Sequence, residues 1–214
     1  MYLEFKDKLK KRLEEPLPAS ESHKQVMRHR RPLDQMGMLP EGARESAVLI
    51  LIYPKDENLH TVFIQRPVYK GVHSGQIAFP GGKAEEEDFD LQATAYREAE
   101  EELNVQPSLV EPIGKLTPLF VPPSNFIIHP FIAFQESLPA FRADPKEVSS
   151  FIETPIRHFI STDSLRDSTV MAQNNRLKVK AFQYEGHIIW GATGMILKEF
   201  VDVLNSTKLP GGLI

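Results

Sequence analysis

At 214 residues the chain has room for one large domain, or for a domain with an extension. Its 41% apolar and 25% charged residues are ordinary for a globular protein, and a formal net charge of -4 gives no general pull toward nucleic acid or an anionic membrane. With no cysteine, disulfides, thiol catalysis and cysteine metal sites are excluded, which suits a reducing cytoplasm, and no apolar run approaches the roughly 20 residues of a membrane span.

Residues 1–15 read as a helix. Leu3, Phe5, Leu9 and Leu13 partly follow the helical period, and Pro16 stops the run. Charges are spread throughout "MYLEFKDKLKKRLEEP", unlike a secretory signal. Residues 16–45 are punctuated by Pro16, Pro18, Pro32, Pro40 and Gly42 and read as a linker or an arm packed on the domain. Their basic cluster, "HKQVMRHRR", has a second reading as a phosphate-steering patch. Residues 1–45 are thus an N-terminal helix and arm, 46–206 the folded domain and 207–214 a tail.

Within the domain, "AVLILIY" is a strand and "HTVFIQR" its hairpin partner across the turn cluster "PKDEN". A short strand lies in "GVHSGQIAFPGG". Leu91 to Leu103, "LQATAYREAEEEL", is the clearest helix, with Asp88 or Asp90 near its start and Asn104 able to end it in the left-handed conformation. "GKLTPLF" and "NFIIHPFIAF" follow as strands, and "VSSFIETPIRHFI" contains another. "LKVKAFQYEGHIIWG" reads as a hairpin turning at "EG", and "ATGMILKEFVDVLNS" as a closing amphipathic helix. Strands on both sides of a central helix indicate α/β or α+β layering.

The central helix crowds Glu98, Glu100, Glu101 and Glu102 into five positions. Like charges at helical neighbour spacing cost roughly 0.2–0.5 kcal/mol per pair. At about 100° per residue, Leu91, Ala95, Ala99 and Leu103 form the apolar stripe. Glu98 and Glu102 border that stripe, Glu101 lies beside them, and Glu100 points to water. Carboxylates at the edge of a core are costly unless paired. Arg97 and nearby lysines are one set of partners; a hard divalent cation, which prefers oxygen ligands, is another. Geometry alone leaves both readings standing. Just upstream, "FPGGKAEEED" sets two glycines ahead of the helix, where backbone can approach a ligand closely or simply turn.

These residues resemble the Nudix box, G-x5-E-x7-R-E-U-x-E-E-x-G-U with U apolar. Gly82 fits its glycine, and Arg97, Glu98, Ala99, Glu101, Glu102 and Val105 fit its second half. Asp88 stands at the first glutamate, one extra residue precedes Arg97, and Asn104 replaces the last glycine. The extra residue and Asp88 resemble the coenzyme A pyrophosphatase-like branch. That branch carries an upstream signature, roughly L-L-T-x-R-[SA]-x3-R-x3-G-x3-F-P-G-G. Here "VFIQRPVYKGVHSGQIAFPGG" matches it at Arg66, Gly75, Phe79, Pro80, Gly81 and Gly82. Pro67 replaces its Ser or Ala, and Gly71 replaces an arginine suited to a substrate phosphate. The likeness runs over about 47–203 and includes "WGATGMIL".

The resemblance implies an α/β/α sandwich with a mixed central sheet and an enzyme that hydrolyses a nucleoside diphosphate derivative. It implies Mg2+ or Mn2+ on Glu98, Glu101 and Glu102, with Arg97 holding a carboxylate through its planar fork. Glu98 or Glu102 orients or deprotonates the water, with Glu147 as an alternative base or else a surface residue. Arg66, His73, Gly75, Gln76, Gly81 and Gly82 are the candidate substrate-binding residues, some of which serve equally well as turn residues. The first-choice substrate is coenzyme A or an acyl form, giving 4'-phosphopantetheine and adenosine 3',5'-bisphosphate. ADP-ribose, dinucleotides and nucleoside triphosphates are the alternatives, as is a non-catalytic nucleotide-binding module. A small-molecule partner is implied, not nucleic acid or membrane, and dimers are common in the family.

Overall fold

The computed structural model describes residues 2–28, 33, 36, 41–69, 71, 73–160, 164–172 and 175–207. His29, Arg30 and Arg31 of the basic cluster lie outside these residues, as does the expected tail beyond Thr207.

Helices α1 (Tyr2–Glu14) and α2 (Ala19–Val26) precede the first strand. Strand β1 (Arg44–Lys55) turns through Asp56 and Glu57 into β2 (Asn58–Gln65), with Tyr53 opposite His60. Both turn residues have positive φ, the conformation that matches a two-residue hairpin to strand twist. Next come β3 (Ile77–Ala78), β4 (Gly81–Lys83) and helix α3 (Leu91–Leu103). The chain continues through β5 (Glu111–Lys115), β6 (Leu119–Val121), β7 (Phe126–Phe134), β8 (Ser150–Pro155) and the short helix α4 (Arg157–Ile160). Strands β9 (Leu165–Ala172), β10 (Asn175–Tyr184) and β11 (His187–Ile189) lead into α5 (Gly191–Ser206).

Eight strands make one mixed sheet. Its main order is β3-β2-β1-β7-β5, with β4 on β1, β6 on β7 and β8 on β2. The β1–β7 pair is parallel, Leu49 facing Phe131, and the other pairings in this sheet are antiparallel. Alternation along β1 decides what each face buries. Ala47, Leu49, Leu51 and Tyr53 pack with Ala95, Ala99 and Leu103 of α3. Ile50 and Ile52 face the other way, toward Phe5 and Leu9 of α1 and Met195, Leu197 and Phe200 of α5. Helices therefore cover both faces, giving the expected α+β layering. Phe5 and Leu9 are fully buried, and each contributes about 1.5–3 kcal/mol of apolar burial.

Helix α2 and strand β9 differ from the sequence expectation, and "GKLTPLF", expected as one strand, spans the end of β5 and the start of β6. Helix α2 occupies part of the stretch read as a linker or arm. It is held to α5 by polar contacts: Ala19 N (3.2 Å) and His23 Nε2 (3.0 Å) meet the fully buried Glu199 carboxylate, which also accepts from the Thr117 hydroxyl (2.6 Å) between β5 and β6. Ser22 Oγ donates to Asp202 at 2.5 Å. His23 is therefore committed to Glu199, and Lys24 pairs with Glu21, so this part of the basic cluster is not a free phosphate patch. Strand β9, "LRDSTVMA", has too little apolar alternation to show in the sequence. It completes a separate three-stranded sheet, β11-β10-β9, whose β10–β11 hairpin turns at Glu185-Gly186 as expected. Among the described residues no helix is long and apolar enough to cross a membrane.

Candidate active site

Helix α3 has the bounds and caps that its local sequence predicts. The Asp90 carboxylate accepts from Ala93 N at 2.8 Å, and Asn104 ends the helix at φ 60°. These ends fix the phase of the acidic face. Glu102 is 3% exposed, Glu98 is half-buried, and Glu100 points to water.

The strand that meets this face is β4. Gly81 N donates to Glu102 Oε2 at 2.8 Å, while Arg66 Nη2 donates to Gly81 O at 3.2 Å. Gly82 lies against Glu98 so closely that a Cβ there would come within 2.4 Å of the carboxylate. The two glycines let backbone reach both carboxylates.

A third carboxylate arrives from far along the chain. After α3, Arg142 N donates to Leu103 O (3.0 Å) and Asp144 N to Glu102 O (3.1 Å). Asp144 O then accepts from Glu147 N and Val148 N, and Ser149 N donates to Gln65 O. This pinned loop carries Glu147 beside the helix. Oxygens of Glu98, Glu102 and Glu147 lie within 4.8 Å of one another, a donor set that could hold a divalent cation.

Glu101 stands outside that trio. Half its side chain is exposed, and it accepts from Arg97 Nη1 at 3.2 Å. Arg97 grips Asp88 with two bonds, Nε–Oδ1 at 2.9 Å and Nη2–Oδ2 at 3.0 Å, and also reaches Glu98 Oε1 at 3.0 Å. Asp88, at the position of the box's first glutamate, thus orients the arginine that holds Glu98. The fork geometry makes Lys a poor substitute here. His73, Gly75 and Gln76 tie their own loop together, with His73 Nδ1 and Gln76 Oε1 3.0 Å apart and Gly75 N donating to Pro67 O.

Burial dominates the electrostatics. Desolvation pushes the Glu102 carboxyl from 4.5 up to about 8, against the opposing pull of Arg66 and the Gly81 N–H, with Glu98 and Glu147 adding repulsion. Glu98 is raised for the same leading reason, offset by Arg97. Asp88 is held well below the usual range by Arg97. The raised pair means that, without a cation, the fold favours a proton at Glu102. A folded pKa above the unfolded one adds stability at low pH and loses it as pH rises. Metal-free protein is therefore expected to lose stability between about pH 4.5 and about pH 8, on the order of a few kcal/mol. Adding a divalent cation should restore it at the upper end. Thermal melts across this range, with chelator and with metal, measure both effects; a flat, metal-independent profile would refute the account.

A carboxylate trio with Glu102 buried, Glu98 half-buried and Glu147 exposed, set beside a Gly-Gly strand on a mixed sheet covered by helices, defines a class of site that could hold a divalent cation. The family comparison narrows that class. A NUDIX domain model matches residues 43–173, and the chain belongs to the Nudix family. It is 32% identical over 166 residues to the uncharacterised Nudix hydrolase NudL of Photorhabdus laumondii, covering 77% of this chain and 87% of that one. It is 31% identical over 191 residues to the chloroplastic Nudix hydrolase 22 of Arabidopsis thaliana, covering 86% of this chain and 63% of that protein. The fold is similar to a solved Nudix hydrolase, RenU, of M. smegmatis (TM-score 0.52, 10% identity, 78% of this chain and 89% of that one). A MutT/nudix protein of Enterococcus faecalis is also similar (TM-score 0.51, 16% identity, 86% and 73%). The protein is accordingly a Nudix hydrolase, a pyrophosphatase acting on phosphorus-containing anhydrides.

Proposed function

We propose that the protein is a Mg2+- or Mn2+-dependent pyrophosphohydrolase that cleaves coenzyme A or acyl-CoA to 4'-phosphopantetheine and adenosine 3',5'-bisphosphate. The observation that carries the reaction class is the trio Glu98, Glu102 and Glu147 meeting at Gly81-Gly82. The substrate choice rests on the upstream "GVHSGQIAFPGG" segment and on Arg66 beside Gly81.

In this reading Glu98 and Glu102 hold the cation, with Glu101 at the rim and Glu147 closing the set. The bound cation supplies charge neutralisation at the diphosphate and lowers the cost of forming a nucleophile from water. Arg97 is a positioning residue, because it fixes Glu98 while itself fixed by Asp88. Glu147 is solvent-facing, so it can take the proton of the attacking water and pass it to bulk. Water oxygen bonds to phosphorus, the anhydride P–O bond breaks, and each product leaves with its own phosphate. The chain works as a homodimer in this proposal.

Gly71, where the coenzyme A signature has an arginine, favours a second reading with the same chemistry on ADP-ribose or a dinucleotide. A panel of coenzyme A, acetyl-CoA, ADP-ribose, a diadenosine polyphosphate and a nucleoside triphosphate, with Mg2+ and with Mn2+, separates the two. Product masses should show 4'-phosphopantetheine from coenzyme A at the highest kcat/KM. Cleavage of ADP-ribose with coenzyme A untouched would replace the first reading by the second. No turnover of any member with either metal would leave the non-catalytic module.

A further inference from the structure

Two exposed patches of this chain are complementary to each other and serve no role in the site described. The first is the loop between β4 and α3. Phe89 is 95% exposed there, with Glu85, Glu86, Glu87 and Asp90 around it, all exposed. An aromatic ring fully in water amid four carboxylates is unusual, since apolar groups that size normally find cover.

The second is the outer part of the β9–β10 ribbon. Strand β11 covers β10 only at 182–184, so residues nearer the tip belong to a two-stranded ribbon, a structure marginally stable by itself in water. Register puts Met171 opposite Arg176, Thr169 opposite Lys178 and Asp167 opposite Lys180, all on one face. Met171 is 63% exposed, and Arg176 and Lys178 are exposed with no ion pair among the described residues. Asp167 and Lys180 neutralise each other through a 3.2 Å pair. This face is therefore an exposed methionine flanked by two uncommitted cations.

We propose that a second copy of this chain binds here: the Met171–Arg176–Lys178 face of one protomer docks on the Phe89 loop of the other. Methionine sulfur against an aromatic ring is a favourable contact, and the two cations meet Glu86 and Glu87. Each protomer carries both patches, so a dimer in which they meet across a two-fold axis makes the contact twice. The loop also carries Asp88, the residue that holds Arg97, so docking falls beside the site without supplying a ligand to it. The proposal rests on the homodimer of the proposed function and supplies its interface; the choice of substrate is separate and is decided by the substrate panel.

Sedimentation velocity is the test. Wild-type protein should be dimeric at low ionic strength and dissociate in high salt, because exposed ion pairs are screened. The Arg176→Glu, Lys178→Glu double variant should weaken dimerisation by about tenfold or more, and Glu86→Lys, Glu87→Lys, on a different loop, should do the same. Mixing the two charge-reversed proteins should restore heterodimer formation through the reversed pairs. A wild-type monomer at every concentration and salt overturns the proposal. So does a dimer that neither charge reversal weakens, or two weakened variants that fail to pair when mixed while circular dichroism shows both folded.

Discussion

Glu102→Gln protein is expected to fold, to melt at a higher temperature than the wild type in chelator at about pH 8, and to lose kcat/KM by about 10^3-fold or more, roughly 4 kcal/mol of transition-state stabilisation. The opposite signs share one cause. Glu102 is almost fully buried, and desolvation lifts its carboxyl to about 8. A neutral amide removes that desolvation penalty while its oxygen can still accept from Gly81 N, so the β4 contact survives. What disappears is the negative charge that a divalent cation needs. Calorimetric titration with Mn2+ and melting curves of the same preparations check the two halves separately. A variant that loses activity only because it unfolds would melt lower, not higher. Retained activity would remove Glu102 from the reaction.

Helix α3 was legible in the sequence because its determinants are local. Asp90 caps it, Asn104 ends it in the left-handed conformation, and the apolar stripe has the helical period. The same arithmetic placed Glu98, Glu101 and Glu102 on one side, but periodicity gives a direction and not a depth. Depth is decided by β4, where Gly81 meets Glu102 and Gly82 meets Glu98, while Glu101 is left at the rim with Arg97. Glu147 entered only through the family resemblance, as an alternative base or else a surface residue, and no local pattern placed it beside the helix. Its position depends on a loop pinned by backbone bonds to Glu102 O and Gln65 O, contacts between segments far apart in the chain. Helix α2 was missed for a related reason. Its buried residues include Ser22 and His23, which are covered because Asp202 and Glu199 await them on α5, so no apolar period marks the face. Strand β9 pairs with β10 and with no other strand among the described residues, and its sequence carries no alternation to reveal it.

The neighbouring glycines of "PGG" should fail in different ways when each is replaced by alanine. At Gly81 a Cβ would lie 2.2 Å from Ala47 O and 2.6 Å from Val48 Cα, both backbone atoms of the central strand β1, which cannot move aside cheaply. Its φ of +150° is also one that L side chains rarely adopt. Strain of about 1–3 kcal/mol adds to overpacking of about 1–3 kcal/mol, a large part of the roughly 5–15 kcal/mol that holds a domain together. Gly81→Ala should therefore melt about 10 °C lower or fail to fold. Gly82 has ordinary φ, and the atoms a Cβ would meet are the end of a flexible side chain, the Glu98 carboxylate at 2.4 Å. That group can swing away at little cost to the fold, but it then leaves Glu102, Glu147 and the Arg97 fork. Gly82→Ala should keep a melting temperature near wild type in chelator while losing metal affinity and turnover. Melting curves and Mn2+ titration of the pair decide it: equal stability losses at both positions would mean that Gly82 serves the turn alone and that Glu98 is not held where the trio requires it.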